Sequence, residues 1–122
     1  MPFAELPIQE ETISVSQLQQ LQLLSNDIFL LLGSLSDLPY VEEMKQARKW
    51  IANNIAACFE SVNRVACKRF LLAAKKSCDQ LVFLFKVTKK VYKNAEWMSN
   101  LEQATMYTEI LAKWISLLKN SA

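Results

Sequence analysis

Apolar residues recur with helical spacing along four stretches of this chain, separated by short polar or proline-containing breaks. In the first stretch Leu18, Leu21, Leu24 or Ile28, Leu31, Leu32 and Leu35 share one side, while Gln17, Gln19, Gln20 and Gln22 form an outer face. The spacing predicts a helix over about Ser16 to Leu35, with Ser14 or Ser16 as N-cap and Gly33 in its last turns. Residues 1 to 13 contain two prolines and no clean period, and read as an N-terminal arm.

A Ser-Asp-Leu-Pro turn follows, and Pro39 suits the first position of a second helix, with Glu42 and Glu43 near its positive end. That helix is expected from about Pro39 to Phe59, with Val41, Met44, Ile51, Ile55 and Cys58 as its seam. Ala47, Trp50, Asn54 and Ala57 form a stripe beside the seam, and Trp50 is expected to be burial-compatible. Asn63 is a good N-cap for the longest helix, about Arg64 to Lys93, which Asn94 closes.

In this third helix Cys67, Phe70, Ala74, Cys78, Leu81, Phe85, Thr88 and Tyr92 fall on one side. Lysines 68, 75, 76, 86, 89, 90 and 93 occupy the other, with Leu72, Phe83 and Val87 among them. Ser99-Asn100-Leu101-Glu102 is a capping box that opens a fourth helix with the seam Leu101, Ala104, Thr108, Leu111, Ile115 and Leu118. Its second stripe, Tyr107, Ile110, Trp114 and Leu117, widens the apolar arc beyond what a bundle position requires. Four helices with short connections predict an all-α, antiparallel up-down-up-down four-helix bundle spanning residues 14 to 122.

Composition agrees with one domain: 122 residues, 52% hydrophobic, one Gly and three Pro leave little room for a loop-rich β architecture. The net charge of +2 is uninformative by itself, but its distribution is not. Residues 1 to 44 carry seven acids and no Lys or Arg, whereas residues 45 to 93 carry twelve Lys or Arg against Glu60 and Asp79. No apolar run approaches the roughly 20 residues needed to span a bilayer. The acidic N-terminus lacks a basic signal region, so a cytoplasmic location and no membrane partner are expected.

Catalytic chemistry finds no foothold. The chain has no His, and its single Gly precludes a glycine-rich phosphate loop. Carboxylate pairs such as Glu42 and Glu43 lie at a helix start, where the dipole accounts for them. The three cysteines have no metal-type spacing, and neither a metal nor a cofactor is expected. Cys67 and Cys78, on one helix, are about 16 Å apart, too far for a disulfide. Cys58, Cys67 and Cys78 therefore read as small apolar core residues in a reducing compartment.

From Asn54 the chain reads N-I-A-A-C-F-E-S-V-N-R-V-A-C-K-R-F-L-L-A-A-K-K-S. This resembles, without a gap, the signature N-I-A-E-G-F-G-R-x-S-x-x-E-F-x-R-F-L-x-x-A-x-G-S of the bacterial four-helix-bundle proteins found in ribosomal RNA intervening sequences. Asn54, Ile55, Ala56, Phe59, Arg69, Phe70, Leu71, Ala74 and Ser77 match, and Asn63 stands where the family has an N-capping Ser. Ala57 and Cys58 replace the family's Glu and Gly, and Trp50 replaces a Ser, so a site needing Asn and Glu together is not carried over. The resemblance spans about Leu38 to Lys93.

The same fold class includes the accessory variability determinants of diversity-generating retroelements, which look like homopentamers that partner a reverse transcriptase and bind nucleic acid through basic surfaces. The resemblance therefore implies a non-catalytic homopentamer with RNA, DNA or a reverse transcriptase as partner. The candidate nucleic-acid-binding residues are Lys68, Arg69, Lys75, Lys76, Lys86, Lys89, Lys90 and Lys93. A lysine-rich stripe of this kind grips phosphates rather than reading bases. The candidate oligomer interface is Leu72, Phe83, Val87, Tyr107, Ile110, Trp114 and Leu117. Two alternatives stay open for these surfaces. The lysines can be a solvated face balanced by the acidic helix 1 region of the same or a neighbouring subunit, and Phe83 can stack on a base or be covered by another subunit. The chain as a whole can equally be a protein-interaction module with no nucleic-acid role.

Overall fold

In a computed structural model, described over residues 15–35, 37–61, 63–91 and 95–121, the chain forms four α-helices and, among the described residues, no strand. They are α1 (Val15–Gly33), α2 (Val41–Glu60), α3 (Arg64–Val91) and α4 (Ala95–Ser121). Each helix packs on two neighbours, in the order α1, α2, α3, α4 and back to α1, which closes a four-helix bundle. In this ring α1 and α3 lie diagonally opposite, as do α2 and α4. The arm, the candidate cap Ser14, the expected core residue Tyr92 and the closing residue Asn94 lie outside the described residues.

The predicted seams form the core. Leu18, Leu21, Ile28, Leu32 and Leu35 meet Met44, Ile51 and Ile55 from α2, Leu81 and Phe85 from α3, and Leu101, Leu111 and Ile115 from α4. Leu71 is fully buried and Phe70 only half-buried, so the α3 seam lies one residue over from the expected position there. The three buried polar positions do not break the apolar interior. Thr88 and Thr108 donate to the carbonyls of Leu84 and Ala104 one turn back, both at 2.8 Å, and Ser25 receives a bond from Arg48.

Two helix starts differ from expectation. Helix α2 begins at Val41 rather than Pro39, because Tyr40 serves as its N-cap in the left-handed region, at φ 64°. Its carbonyl still accepts the first helical bond, from the N–H of Met44 at 2.8 Å. Helix α4 begins at Ala95, so Ser99 lies inside it and the capping box is not used. Trp97, half-buried against the core, draws the extra turn into the bundle. At the third start the expectation holds: Asn63 Oδ1 accepts the N–H of Ala66 at 2.8 Å.

The cysteines need a correction. Cys58, in the last turn of α2, and Cys67, in the first turns of α3, have Cα atoms 4.4 Å apart and form a disulfide, while Cys78 is free and buried. Spacing within one helix cannot reveal this pairing, because the chain reverses between the two residues and brings the ends of neighbouring helices together.

Candidate nucleic-acid interface

Helix α3 packs against α2 on one flank and α4 on the other, so only its outward face and its two edges remain for other contacts. The described lysines divide between these positions. Along the edge facing α4, Lys86 Nζ lies 3.8 Å from Glu109 and Lys89 Nζ 3.1 Å from Glu102. As α3 advances from Lys86 to Lys89, the partner on α4 moves back from Glu109 to Glu102, as antiparallel packing requires. Lys75 pairs one turn along its own helix with Asp79, at 2.8 Å. These exposed pairs contribute little to stability, about 0–1 kcal/mol each, but they place a carboxylate beside three of the candidate cations.

Among the described residues Lys68, Arg69, Lys76 and Lys90 have no acidic partner within ion-pair distance. Lys93 lies outside the described residues. Among the described residues the acids that meet the lysine stripe come from α3 itself and from α4. The cationic surface is thus narrower than the run of lysines suggests. It is also less purely cationic, because Val65, Leu72 and Phe83 share this outward side, with Phe83 64% exposed and Leu72 42% exposed.

Near the start of α3 this surface deepens into an open groove of about 520 Å³, lined by Arg64, Lys68, Arg69 and Lys119 with Val65 and Leu72. Lys119 comes from the end of α4, since antiparallel packing sets that end beside the start of α3. Sequence order does not suggest this fourth cation, 50 residues from Arg69. Among the described residues the groove has no acidic lining residue. Among the described residues no group of three or more potential ligands could hold a metal ion, and no helix is long and apolar enough to cross a membrane.

The proposed oligomer residues separate as well. Phe83, Leu72, Trp114 and Leu117 are exposed, whereas Val87, Tyr107 and Ile110 are half-buried. Tyr107 packs against the core, and its hydroxyl accepts a bond from Gln103 Nε2 at 2.8 Å, so its own bundle already uses much of it. Sequence periodicity missed other exposed apolar side chains: Leu23, Phe29 and Leu30 on α1, Met106 on α4, and Trp50, which is 52% exposed rather than buried. The glutamines around the α1 residues signal a polar face, and that signal hides them. No known family model matches this chain, and no curated protein or solved structure is similar to it.

Proposed function

We propose that the chain is a non-catalytic, oligomeric helical-bundle accessory protein that binds the phosphate backbone of nucleic acid through the outward face of α3. The observation that carries this reading is the cluster of Lys68, Arg69, Lys76 and Lys90, without acidic partners among the described residues, interleaved with exposed Leu72 and Phe83. Such a surface offers point charges to phosphates and a ring on which a base can stack. The resemblance to the intervening-sequence family supports a homopentamer, with a reverse transcriptase as a protein partner. In a ring the four-cation surface would be repeated by symmetry, multiplying weak contacts.

Titrating a single-stranded RNA oligonucleotide against salt tests the reading. With four engaged cations per chain, log K is expected to fall with log salt with a slope of about −3; if the three acid-paired lysines also engaged phosphates the slope would be about −5. Absent or salt-insensitive binding would overturn it. A second reading, a protein-interaction module without a nucleic-acid role, is favoured by the exposed Leu23, Phe29 and Leu30 on α1, far from the basic surface. Light scattering of the purified chain addresses the assembly common to both readings, and a monomer at micromolar concentration would remove it.

A further inference from the structure

Helix α3 carries two heptad seams on opposite sides. The buried one belongs to the bundle: Cys67, Ala74, Leu81 and Thr88 recur every seven residues, and Leu71, Cys78 and Phe85 follow four positions after the first three. A second seam repeats this pattern on the outward face. Val65, Leu72, Asp79 and Lys86 recur every seven residues, Arg69, Lys76, Phe83 and Lys90 stand four positions later, and every one of them is exposed. An offset of two residues turns the second seam about 200° from the first, so it faces away from the core. A helix face that meets only water is polar, whereas alternating steps of four and three that carry Val65, Leu72 and Phe83 suit a second helix packed along them.

The charges of the seam select that helix. A second α3 laid antiparallel and overlapping from end to end sets Arg64 opposite the Val91 of the second copy. The same register places Leu72 opposite the Phe83 of the second copy and Lys76 opposite its Asp79, and two-fold symmetry makes each contact twice. Further out, Val65 meets the apolar stem of Lys90, whose ammonium stays in water. Arg69 meets Lys86, the one like-charged match, and Lys86 has Glu109 beside it at 3.8 Å. A parallel copy would instead stack Lys76 on Lys76 and Asp79 on Asp79, and like charges facing each other oppose it.

We propose that two copies of this chain pair through α3 in antiparallel register about a two-fold axis, with two Leu72–Phe83 contacts and two Lys76–Asp79 ion pairs at the centre. Asp79 receives Lys75 from its own helix at 2.8 Å, and Lys76 of the second copy adds a second ammonium to that carboxylate. The 28 residues of α3 give the contact a length of about 42 Å. The pairing goes beyond the nucleic-acid reading and does not rest on it. Where both hold, Arg69, Lys76 and Lys90 serve both surfaces, so a phosphate backbone and a second copy exclude each other.

Zero-length carbodiimide coupling reads the register, since it joins a carboxylate to a touching amine as an amide while the carbodiimide takes up the water lost. In an equilibrated equal mixture of ¹⁴N- and ¹⁵N-labelled full chain, Lys76–Asp79 links between isotopes are expected. Such links found only within one isotope would overturn the pairing.

Charge reversal tests the same contact by sedimentation. Lys76→Asp and Asp79→Lys, made separately, each set like charges across the axis and should halve the native mass, whatever assembly the other faces build. The double variant exchanges the two charges and should restore that mass; single variants that leave the mass unchanged, or a double variant that fails to restore it, would overturn the proposal. Phe83→Ser should weaken pairing about a hundredfold, because symmetry removes each apolar contact twice, and an unchanged dissociation constant would count against the register. If the links form while the native chain binds no single-stranded RNA, the pairing stands and the nucleic-acid reading falls. If RNA binds and no link between isotopes forms, the pairing alone falls.

Discussion

Arg48 offers a sharp test of which interactions hold the α1–α2 seam. It projects from α2 toward α1, where its Nη1 donates to the fully buried Ser25 Oγ at 3.4 Å and its guanidinium carbon lies 4.9 Å from the centre of the Phe29 ring. Its Nε is buried without a hydrogen-bond partner, and burial lowers the guanidinium's pKa from its ordinary value. Because the folded-state pKa is depressed, the charged form is disfavoured by folding at every pH below it, throughout the usable range.

The favourable side is modest. A cation over an exposed ring contributes about 0.5–1 kcal/mol, and a hydrogen bond this long contributes no more than about 1. The unsatisfied Nε costs about 1–3 kcal/mol, so the polar arrangement is at best neutral. Replacing both partners by apolar groups, Ser25→Ala with Arg48→Met, keeps a linear stem over Phe29 and removes the burial cost. The double variant is expected to be about 1 kcal/mol more stable than the native chain. Arg48→Ala alone, which strips the stem and leaves Ser25 without its partner, should lose about 1–2 kcal/mol.

At 122 residues a gain of 1 kcal/mol raises Tm by about 4 °C, and it moves a urea midpoint by about 0.7 M for a slope near 1.5 kcal/mol/M. Urea melts at one fixed protein concentration separate this from mass action by an oligomer. A double variant less stable than native by 1 kcal/mol or more would refute the reasoning, because the ion, its ring and its hydroxyl would then outweigh the cost of burial.

Further expectations follow from particular residues. Tyr40 holds φ 64° without a side-chain capping bond, so Tyr40→Gly should stabilise by about 1 kcal/mol in the same urea assay, and an equal loss would mean its ring packs usefully. Alkylation of the unreduced, denatured protein should modify one cysteine, Cys78, and three after reduction; three before reduction would count against the Cys58–Cys67 bond. Burial first, and the Asp79 charge second, push the Cys78 thiol from 9.0 up to about 12, with Lys75 opposing. Its protonated form is thus favoured by folding, and this contribution is present below pH 9 and lost as pH rises toward 12. Cys78→Ala should accordingly flatten the decline of stability over that window, and an unchanged slope would refute the assignment. Phe85→Ala empties the largest fully buried side chain and should cost about 3–5 kcal/mol by thermal or urea melting, whereas a loss under 1 would mean that the core collapses to fill the space.

The apolar period of the chain by itself determined the helices and nearly all of the core. Side chains repeating every three or four residues can be buried together only on a helix, and four such seams with short breaks admit few packings. Leu101, Ala104, Thr108, Leu111, Ile115 and Leu118 are all buried for that reason. Where local residues gave competing signals, packing chose. Trp97 extends α4 past a well-formed capping box, and Tyr40 caps α2 one residue after Pro39, which was expected to be its first helical residue.

The candidate surface was legible only as a stripe. Periodicity says which side of α3 is basic, but not which helix lies alongside. Tertiary structure paired Lys86 and Lys89 with α4 and brought Lys119 beside Arg69. It also joined Cys58 to Cys67 at a corner that no count along one helix could reveal. Burial of one face follows from local spacing, whereas charge pairing and grooves depend on distances between residues far apart in the chain. Those distances exist only once the helices have packed.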